Sequence, residues 1–507
     1  VDFEAKFDAK KSTAFRAQVL PKEHNIPAAA PAPEFIPLFQ VVVQEPDPMD
    51  KKSRSFHIVG GGLAGCEAAW QLLNQGHKVT IHEMRPVRMT AAHKTGNLAE
   101  LVCSNSLKSL GLDSAPGRLK EEMKAFDSLI IAAGLHASVP AGQALAVDRE
   151  VFSKYINDKL SEHPGFTRID EEVTAIPDNE TLEASNEVWI VSTGPLTAPD
   201  LSAHIAARVG RKDDLYFYDA IAPVIAADSI DYSKAFRASR YGNDAATGDA
   251  EAPAGDYLNI PLNKDEYEAF ITAIETAEYM PLHDFEEPRY FESCLPVEVM
   301  AGRGRETLRF GPMKPVGLTD PATGRRPWAA IQLRQENKEG TMFSMVGFQT
   351  KMKWPEQKRV FSMLPALAQA EFLRFGSVHR NTYFNSPQIL SENLALKSSP
   401  RIFLAGQITG VEGYTESAAI GLLAGRFAGG SFVRPPSTTV IGSLHSYVVD
   451  GCLGDFQPMN ANLGLLPPTE RRRGESKADK KARQCAAAKD AFQAYFSALQ
   501  PSSGLHS

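Results

Sequence analysis

The chain carries five cysteines, Cys66, Cys103, Cys294, Cys452 and Cys485. Two of them sit among polar residues. Cys103 lies in Glu100-Leu101-Val102-Cys103-Ser104-Asn105-Ser106-Leu107, and Cys294 in Tyr290-Phe291-Glu292-Ser293-Cys294-Leu295-Pro296-Val297-Glu298. A thiol in such company can ionise, and the thiolate is the nucleophile. With an unperturbed pKa near ~8.5 it is only slightly ionised at neutral pH, so a nearby cation, Arg289 or a lysine further along, would be needed. The alternative for any lone cysteine is a small buried hydrophobe, and Cys66, on a helix facing a sheet, reads that way. The odd number, the wide spacing and the lack of CxxC argue against a disulfide framework or a zinc site. They favour a reducing compartment, the cytoplasm.

A second set of residues is built from glycine. Gly60, Gly62 and Gly65, with Gly61, Leu63 and Ala64 between them, form G-x-G-x-x-G between a short apolar strand and a helix. The first glycine permits a tight turn. The second lets backbone N–H groups approach a pyrophosphate, and the third lets helix and strand pack closely. Glu83 closes the next strand, where a carboxylate can accept hydrogen bonds from both ribose hydroxyls and repel a 2′-phosphate. Two later turns favour FAD over NAD as the dinucleotide: Ser192-Thr193-Gly194 at a strand end, and Gly406-Gln407-Ile408-Thr409-Gly410 with Gly413 beyond it. Each alone reads equally as an ordinary turn.

These residues need a scaffold. Phe56–Val59 predicts a buried strand, Gly65–Asn74 a helix ended by Gly76, and Lys78–Glu83 a second strand: a βαβ unit. Glu187–Val191 and the apolar run from Arg401 predict further strands of the same sheet, the latter followed by a small-residue helix over Ser417–Ala428. The fold class expected is α/β: a doubly wound, Rossmann-like FAD-binding domain split by an α+β insertion domain. The expected division is 1–54, a disordered extension or mis-annotated start with Met49 as an alternative start; 55–198 and 396–464, the two parts of the FAD domain; 199–395, the insertion for RNA or substrate; and 465–507, a basic C-terminal tail whose Arg471–Arg483 cluster precedes an Ala-rich helix.

The composition is that of an ordinary globular protein of 507 residues, 43% hydrophobic and 23% charged. No apolar run is long enough for a membrane span. Asp2, Glu4 and Asp8 stand where a secretory signal would be basic. The net charge of -7 does not by itself support a nucleic-acid partner. Local clusters nevertheless mix cations with aromatics: Arg237, Arg240, Arg309, Lys314, Lys351, Lys353, Arg359 and Arg380 with Tyr241, Phe310, Trp354 and Tyr383. That mixture suits phosphate contacts and base stacking, or else is an ordinary solvated face.

Long motifs in order carry a resemblance: GGGLAGCEAAW (Gly60–Trp70), EMRP (Glu83–Pro86), AELVCSNSLKS (Ala99–Ser109), VPAGQALAVDRE (Val139–Glu150), FRASRYG (Phe236–Gly242), YFESCLPVEVMAGRG (Tyr290–Gly304), TLRFGPMKPVGL (Thr307–Leu318), MVGFQTKMKWPEQKRVF (Met345–Phe361), HRNTYFNSP (His379–Pro387), AGQITGVEGYTESAAIGLLAG (Ala405–Gly425) and FQPMN (Phe456–Asn460). Over His57 to about Pro467 the chain resembles the bacterial folate/FAD-dependent tRNA uridine-54 C5-methyltransferase family (TrmFO). The resemblance implies a cytoplasmic flavoprotein. Methylenetetrahydrofolate would give a methylene group to reduced flavin N5 for delivery to C5 of the T-loop uridine, with NADPH or NADH as reductant. It implies Cys294 as the thiolate that adds to C6 of uracil and Cys103 as the second thiol, supporting proton removal or holding the intermediate. His379 falls where an imidazole would stack on flavin or folate, unless it is structural. No metal, membrane or obligate protein partner is implied. The ends of the chain and Asp244–Pro253 depart from the family.

Three other functions fit parts of the pattern. A GidA-type wobble-uridine enzyme would carry a longer helical C-terminal domain. The same chemistry could act on a ribosomal RNA uridine. A non-catalytic RNA-chaperone flavoprotein is the third, and loss of activity with retained RNA affinity in Cys294→Ala would argue against it; a pure NAD(P)H oxidase would not explain the two polar-flanked cysteines.

Overall fold

In the computed structural model, residues 54–499 are described except 91, 211–214, 221, 241–254, 281–294, 338, 377, 432, 452–455, 470, 471 and 473. The expectations for residues 1–53 and for Asp244–Pro253 therefore lie outside the described residues.

The strand Ser55–Val59 is buried at Phe56, Ile58 and Val59. It runs parallel to Lys78–Glu83 on one side and to Glu187–Val191 on the other. The six-stranded sheet reads, edge to edge, Ala395–Leu396, Ser399–Leu404, Glu187–Val191, Ser55–Val59, Lys78–Glu83, Phe166–Asp170. Five of these strands are mutually parallel, and the short edge strand Ala395–Leu396 is antiparallel to its neighbour. The last two strands in sequence thus enter the sheet about 200 residues after Val191. The expected strands at 56–59, 78–83, 187–191 and 401–404 are all present.

The helix after the first strand spans Leu63–Asn74, starting two residues earlier than expected because it begins inside the glycine motif. The late helix spans Tyr414–Ala428, again starting earlier than expected. The two helices meet through small residues. A Cβ on Gly421 would overlap the backbone of Ala64, and one on Gly425 the backbone of Ala68. This close approach explains the small-residue composition of the later helix.

Between its two contributions to that sheet the chain builds a second, antiparallel one. Its order is Phe236–Arg237, Tyr257–Leu262, Ala329–Gln335, Met342–Met345, Val224–Ala226, Phe372–Arg374. Asn263 and Glu266 form a capping box on the helix Lys264–Glu275, which lays Tyr267, Phe270, Ile271 and Ile274 into a separate core with Phe348 and Phe361. At the C-terminal end, the helix Lys477–Leu499 is docked rather than a free tail. Ala488 and Phe492 join the main core, Phe126 packs edge-on to Phe492 and Phe496, and the Tyr495 hydroxyl donates to the Val433 carbonyl at 2.8 Å. No helix among the described residues is long and apolar enough to cross a membrane.

Candidate functional site

A cavity of about 970 Å³ opens at the carboxyl ends of the parallel strands. Of the sequence-derived cofactor residues, Gly60, Gly62, Leu63, Ala64, Glu83, Thr193, Gly194 and Gln407 line it together. Gly61, Gly65, Gly406, Gly410 and Gly413 do not line it. Gly60 has φ +98, and a Cβ there would stand 2.8 Å from the Ser192 carbonyl oxygen. A Cβ on Gly65 would overlap the Gly60 carbonyl. Gly62, by contrast, caps the helix Leu63–Asn74 without a side-chain hydrogen bond and has open space where its Cβ would be. The first-turn N–H groups are thus left for a ligand at the positive end of the helix dipole. The helix Tyr414–Ala428 likewise starts at Gly413 without a side-chain cap, and its Tyr414 and Ser417 line the same cavity. Two uncapped helix starts and a glycine cradle fit a dinucleotide with a phosphate at one end.

Glu83 lines this cavity but is already engaged. Its Oε2 accepts from the Gly61 N–H at 2.8 Å and from Arg85 Nη2 at 3.0 Å; its Oε1 accepts from Arg85 Nε at 2.9 Å and the Arg85 N–H at 3.1 Å. Four donors fill the four lone-pair positions of a carboxylate. Burial pushes the Glu83 carboxyl up, but Arg85 and the backbone donors outweigh it and hold it below its ordinary range. Ribose hydroxyls arriving here must share Glu83 with Arg85 or move it. Arg85 has a second carboxylate within reach, Glu100, at 3.2 Å.

Cys103 adjoins the cavity. Its N–H donates to the Tyr414 hydroxyl at 2.7 Å, and Val102 beside it lines the wall. Its carbonyl oxygen accepts from Arg149 Nη2 and from Arg374 Nη2, both at 3.0 Å. Arg149 also donates to the Leu101 carbonyl and pairs with Glu336 at 2.8 Å. Arg334 stands 3.9 Å from Glu336 and donates to the Asn105 side chain at 2.8 Å. Three guanidiniums therefore surround one carboxylate. Burial pushes the Glu336 carboxyl up, but Arg149 and Arg334 hold it below the usual range. Burial pulls Arg334 and Arg374 down, with Arg149 adding repulsion to both. Arg149 and Arg374 thus anchor the backbone of Cys103 beside the cavity.

Sequence reasoning missed these arginines. Arg149 had a signal: it is the first residue of the helix Arg149–Ser161, capped by Asp148, where a cation opposes the helix dipole. Arg334 and Glu336 had little, since the strand Ala329–Gln335 is buried throughout and shows no alternation. Cys294 and Arg289 lie outside the described residues, as do the side chains of His379 and Arg380. The backbone strand Val378–Tyr383 pairs His379 with Asp219 of Leu215–Ala220. Among the RNA candidates, Arg309 stacks on Trp328 and pairs with Glu306; Arg359 pairs with Glu356, and Lys353 with Glu278. Lys351 lies over the Tyr279 ring, Arg237 over Phe343, and Arg240 donates to the Pro312 carbonyl. Lys314 is half-buried. These residues fall in several neighbourhoods rather than one. Among the described residues no group of three or more His, Cys, Asp or Glu is arranged to hold a metal.

The family profile described as glucose inhibited division protein A (GIDA) matches residues 55–434. A methylenetetrahydrofolate–tRNA-(uracil-5-)-methyltransferase TrmFO of Syntrophus aciditrophicus (strain SB) is 54% identical over 84% of this chain and 95% of its own. The chain belongs to the TrmFO family. The TrmFO of Moorella thermoacetica is also 54% identical, over 82% of this chain and 92% of its own. Among solved structures, Aquifex aeolicus GidA superposes with a TM-score of 0.60 at 15% identity, covering 88% of this chain and 74% of that one. That likeness speaks for the fold, an FAD-domain architecture common to both.

Proposed function

We propose that this chain methylates C5 of the T-loop uridine at position 54 of tRNA. The carbon comes from methylenetetrahydrofolate, and FAD is reduced by NADPH or NADH. FAD, when bound, would supply the reducing equivalents and relay the carbon. The reading is supported by the named relatives, which match nearly end to end. The observation that carries it is Cys103, tied by its N–H to Tyr414 on the cavity wall and by its carbonyl to two arginines.

In this reading the backbone N–H groups after Gly62 would hold the pyrophosphate, Glu83 the ribose, and Thr193, Gly194, Gln407 and the turn through Gly410 and Gly413 the flavin end, with His379 as a further cofactor-binding residue. Cys294 adds as thiolate to C6, so the electron pair of the C5–C6 bond becomes an enolate. C5 would then attack the methylene carbon, whose π pair returns to the carrier nitrogen; cleavage of that carbon–nitrogen bond, with two electrons and a proton from the reduced cofactor, would complete the methyl group. Cys103 assists removal of the C5 proton, and the returning electrons expel the Cys294 thiolate. The arginines beside Cys103 hold its turn in place through its carbonyl oxygen. The region 199–395 contacts the RNA through Arg237, Arg240, Arg309, Lys314, Lys351, Lys353 and Arg380, and the enzyme works where tRNA is found, in the cytoplasm.

The test uses purified protein, an unmodified tRNA transcript, NADPH and carbon-labelled methylenetetrahydrofolate. Labelled 5-methyluridine at the T-loop position is the expected product. Flavin turnover with no label in tRNA would send the search to ribosomal RNA, and no label there would refute the reading.

A further inference from the structure

The strand Ala329–Gln335 joins two places. At its far end Arg334 and Glu336 abut the Cys103 cluster. At its near end Ala329 pairs with Leu262, and the Trp328 N–H donates to the Leu262 carbonyl at 3.0 Å. Eight steps separate Trp328 from Glu336, which at a strand rise of ~3.3 Å per residue is about 26 Å.

Trp328 opens into a wide cleft of about 2170 Å³. Five cations line it: Lys234, Lys264, Arg309, Arg325 and Arg326. Two carboxylates do so, and both are engaged locally. Glu266 accepts from the Asn263 N–H, and Asp320 from the Ala322 N–H and the Thr323 hydroxyl. The lining is therefore net positive in a chain whose net charge is -7, although Lys234 pairs with Asp231 and Arg309 with Glu306. Lys264, Arg325 and Arg326 are exposed and form no ion pair with a described carboxylate.

The cleft also carries aromatic surface. The Arg309 guanidinium lies 3.9 Å from the Trp328 ring centroid and 5.9 Å from that of Phe310, whose side chain is 75% exposed. The Trp328 indole Nε1 is buried with no hydrogen-bond partner. Unpaired cations beside exposed aromatic surface are what a nucleic-acid backbone with an unstacked base requires.

We propose that this cleft is a docking site for the tRNA backbone, remote from the reacting uridine, in which Lys264, Arg325 and Arg326 hold phosphates and the exposed Phe310, next to Arg309 of the lining, offers a base a stacking surface. The proposal rests on tRNA being the substrate and adds where the rest of the molecule is gripped. Substrate bound at both ends of the strand has its register fixed relative to Cys103. This lets an acidic protein hold a polyanion with one local patch.

The experiment compares the full-length holoprotein with its Lys264→Ala/Arg325→Ala/Arg326→Ala variant. It measures tRNA transcript affinity across a potassium chloride series, label transfer, and flavin reduction by NADPH. The variant should bind tRNA at least ~10-fold more weakly, with a log–log salt slope shallower by about 2, as three lost phosphate contacts require. Flavin reduction should be unchanged. If wild type methylates tRNA and the variant binds with the same affinity and slope, the docking site is wrong while the function stands. If wild type neither binds nor methylates tRNA, both fall.

Discussion

The dinucleotide cavity and the ground around Cys103 share a wall, the segment Glu100–Val102, which lines the cavity on one side and a second cavity of about 1110 Å³ on the other. The first is made largely of backbone: glycine turns and uncapped helix starts. Its positive potential comes from peptide dipoles that cannot be deprotonated and need no counter-ion. The second is made of side chains, Arg149, Arg374 and Glu336, brought from separate elements and largely buried. Its charges carry a desolvation cost that only mutual pairing offsets. The backbone site should fail when a side chain enters it. The side-chain site should fail when one is removed.

Gly62→Asp tests the first half most severely. The new Cβ meets open space at φ -75, so the fold is not strained, and aspartate is a favoured N-cap for the helix that follows. Its carboxylate occupies the anion position. The variant should purify colourless, with a thermal midpoint equal to or slightly above that of the flavin-free parent. A colourless protein that is also unfolded would break the distinction.

Arg149→Met tests the second half. It leaves the Glu336 carboxylate buried without its direct partner, a change that costs about 3–5 kcal/mol in comparable buried pairs. The flavin-bound melting temperature should drop accordingly. Arg149→Lys, which keeps a cation beside Glu336, should recover part of the loss, whereas removing Glu336 as well would leave Arg334 and Arg374 buried without their carboxylate. An Arg149→Met variant as stable as the parent would show the cluster to be wet and loosely coupled.

The smallest effect is one of pH. Burial raises the Glu67 carboxyl to about 7, despite hydrogen bonds from Ser128, Gln71 and the Ile130 N–H. The folded chain keeps a proton that the unfolded chain loses near its ordinary value of 4.5. That contribution is complete below the unfolded value and declines as pH rises through the folded one. Glu67→Gln should therefore flatten the fall in melting temperature between about pH 5 and about pH 8. An identical fall in variant and parent would mean that Glu67 is ionised when folded.

The same contrast explains what could be read in the sequence. The βαβ unit, Gly60 to Gly65, Glu83 and the turn at Gly406 are contiguous stretches whose spacing states their geometry. Residues from each line one cavity. The ties at Cys103 span far greater separations, to Arg149, Arg374 and Tyr414, and no local pattern records them. The Glu83–Arg85 pair was adjacent in EMRP yet escaped notice, because charge neighbours two apart in a strand end carry no geometric rule. The C-terminal helix was legible as a helix. Its docking through Phe492 was not, since the partner Phe126 is far away in sequence.

The measurement that bears most directly on the central claim is label transfer by Cys103→Ser, with flavin absorbance read on the same sample. Cys103 is held beside the cavity by its backbone, so replacing the thiol should leave the flavin bound. Transfer of the labelled carbon to tRNA should fall by ~10²–10⁴, the range for losing a positioned proton-transfer group. A yellow variant that labels tRNA at the parental rate would contradict the account.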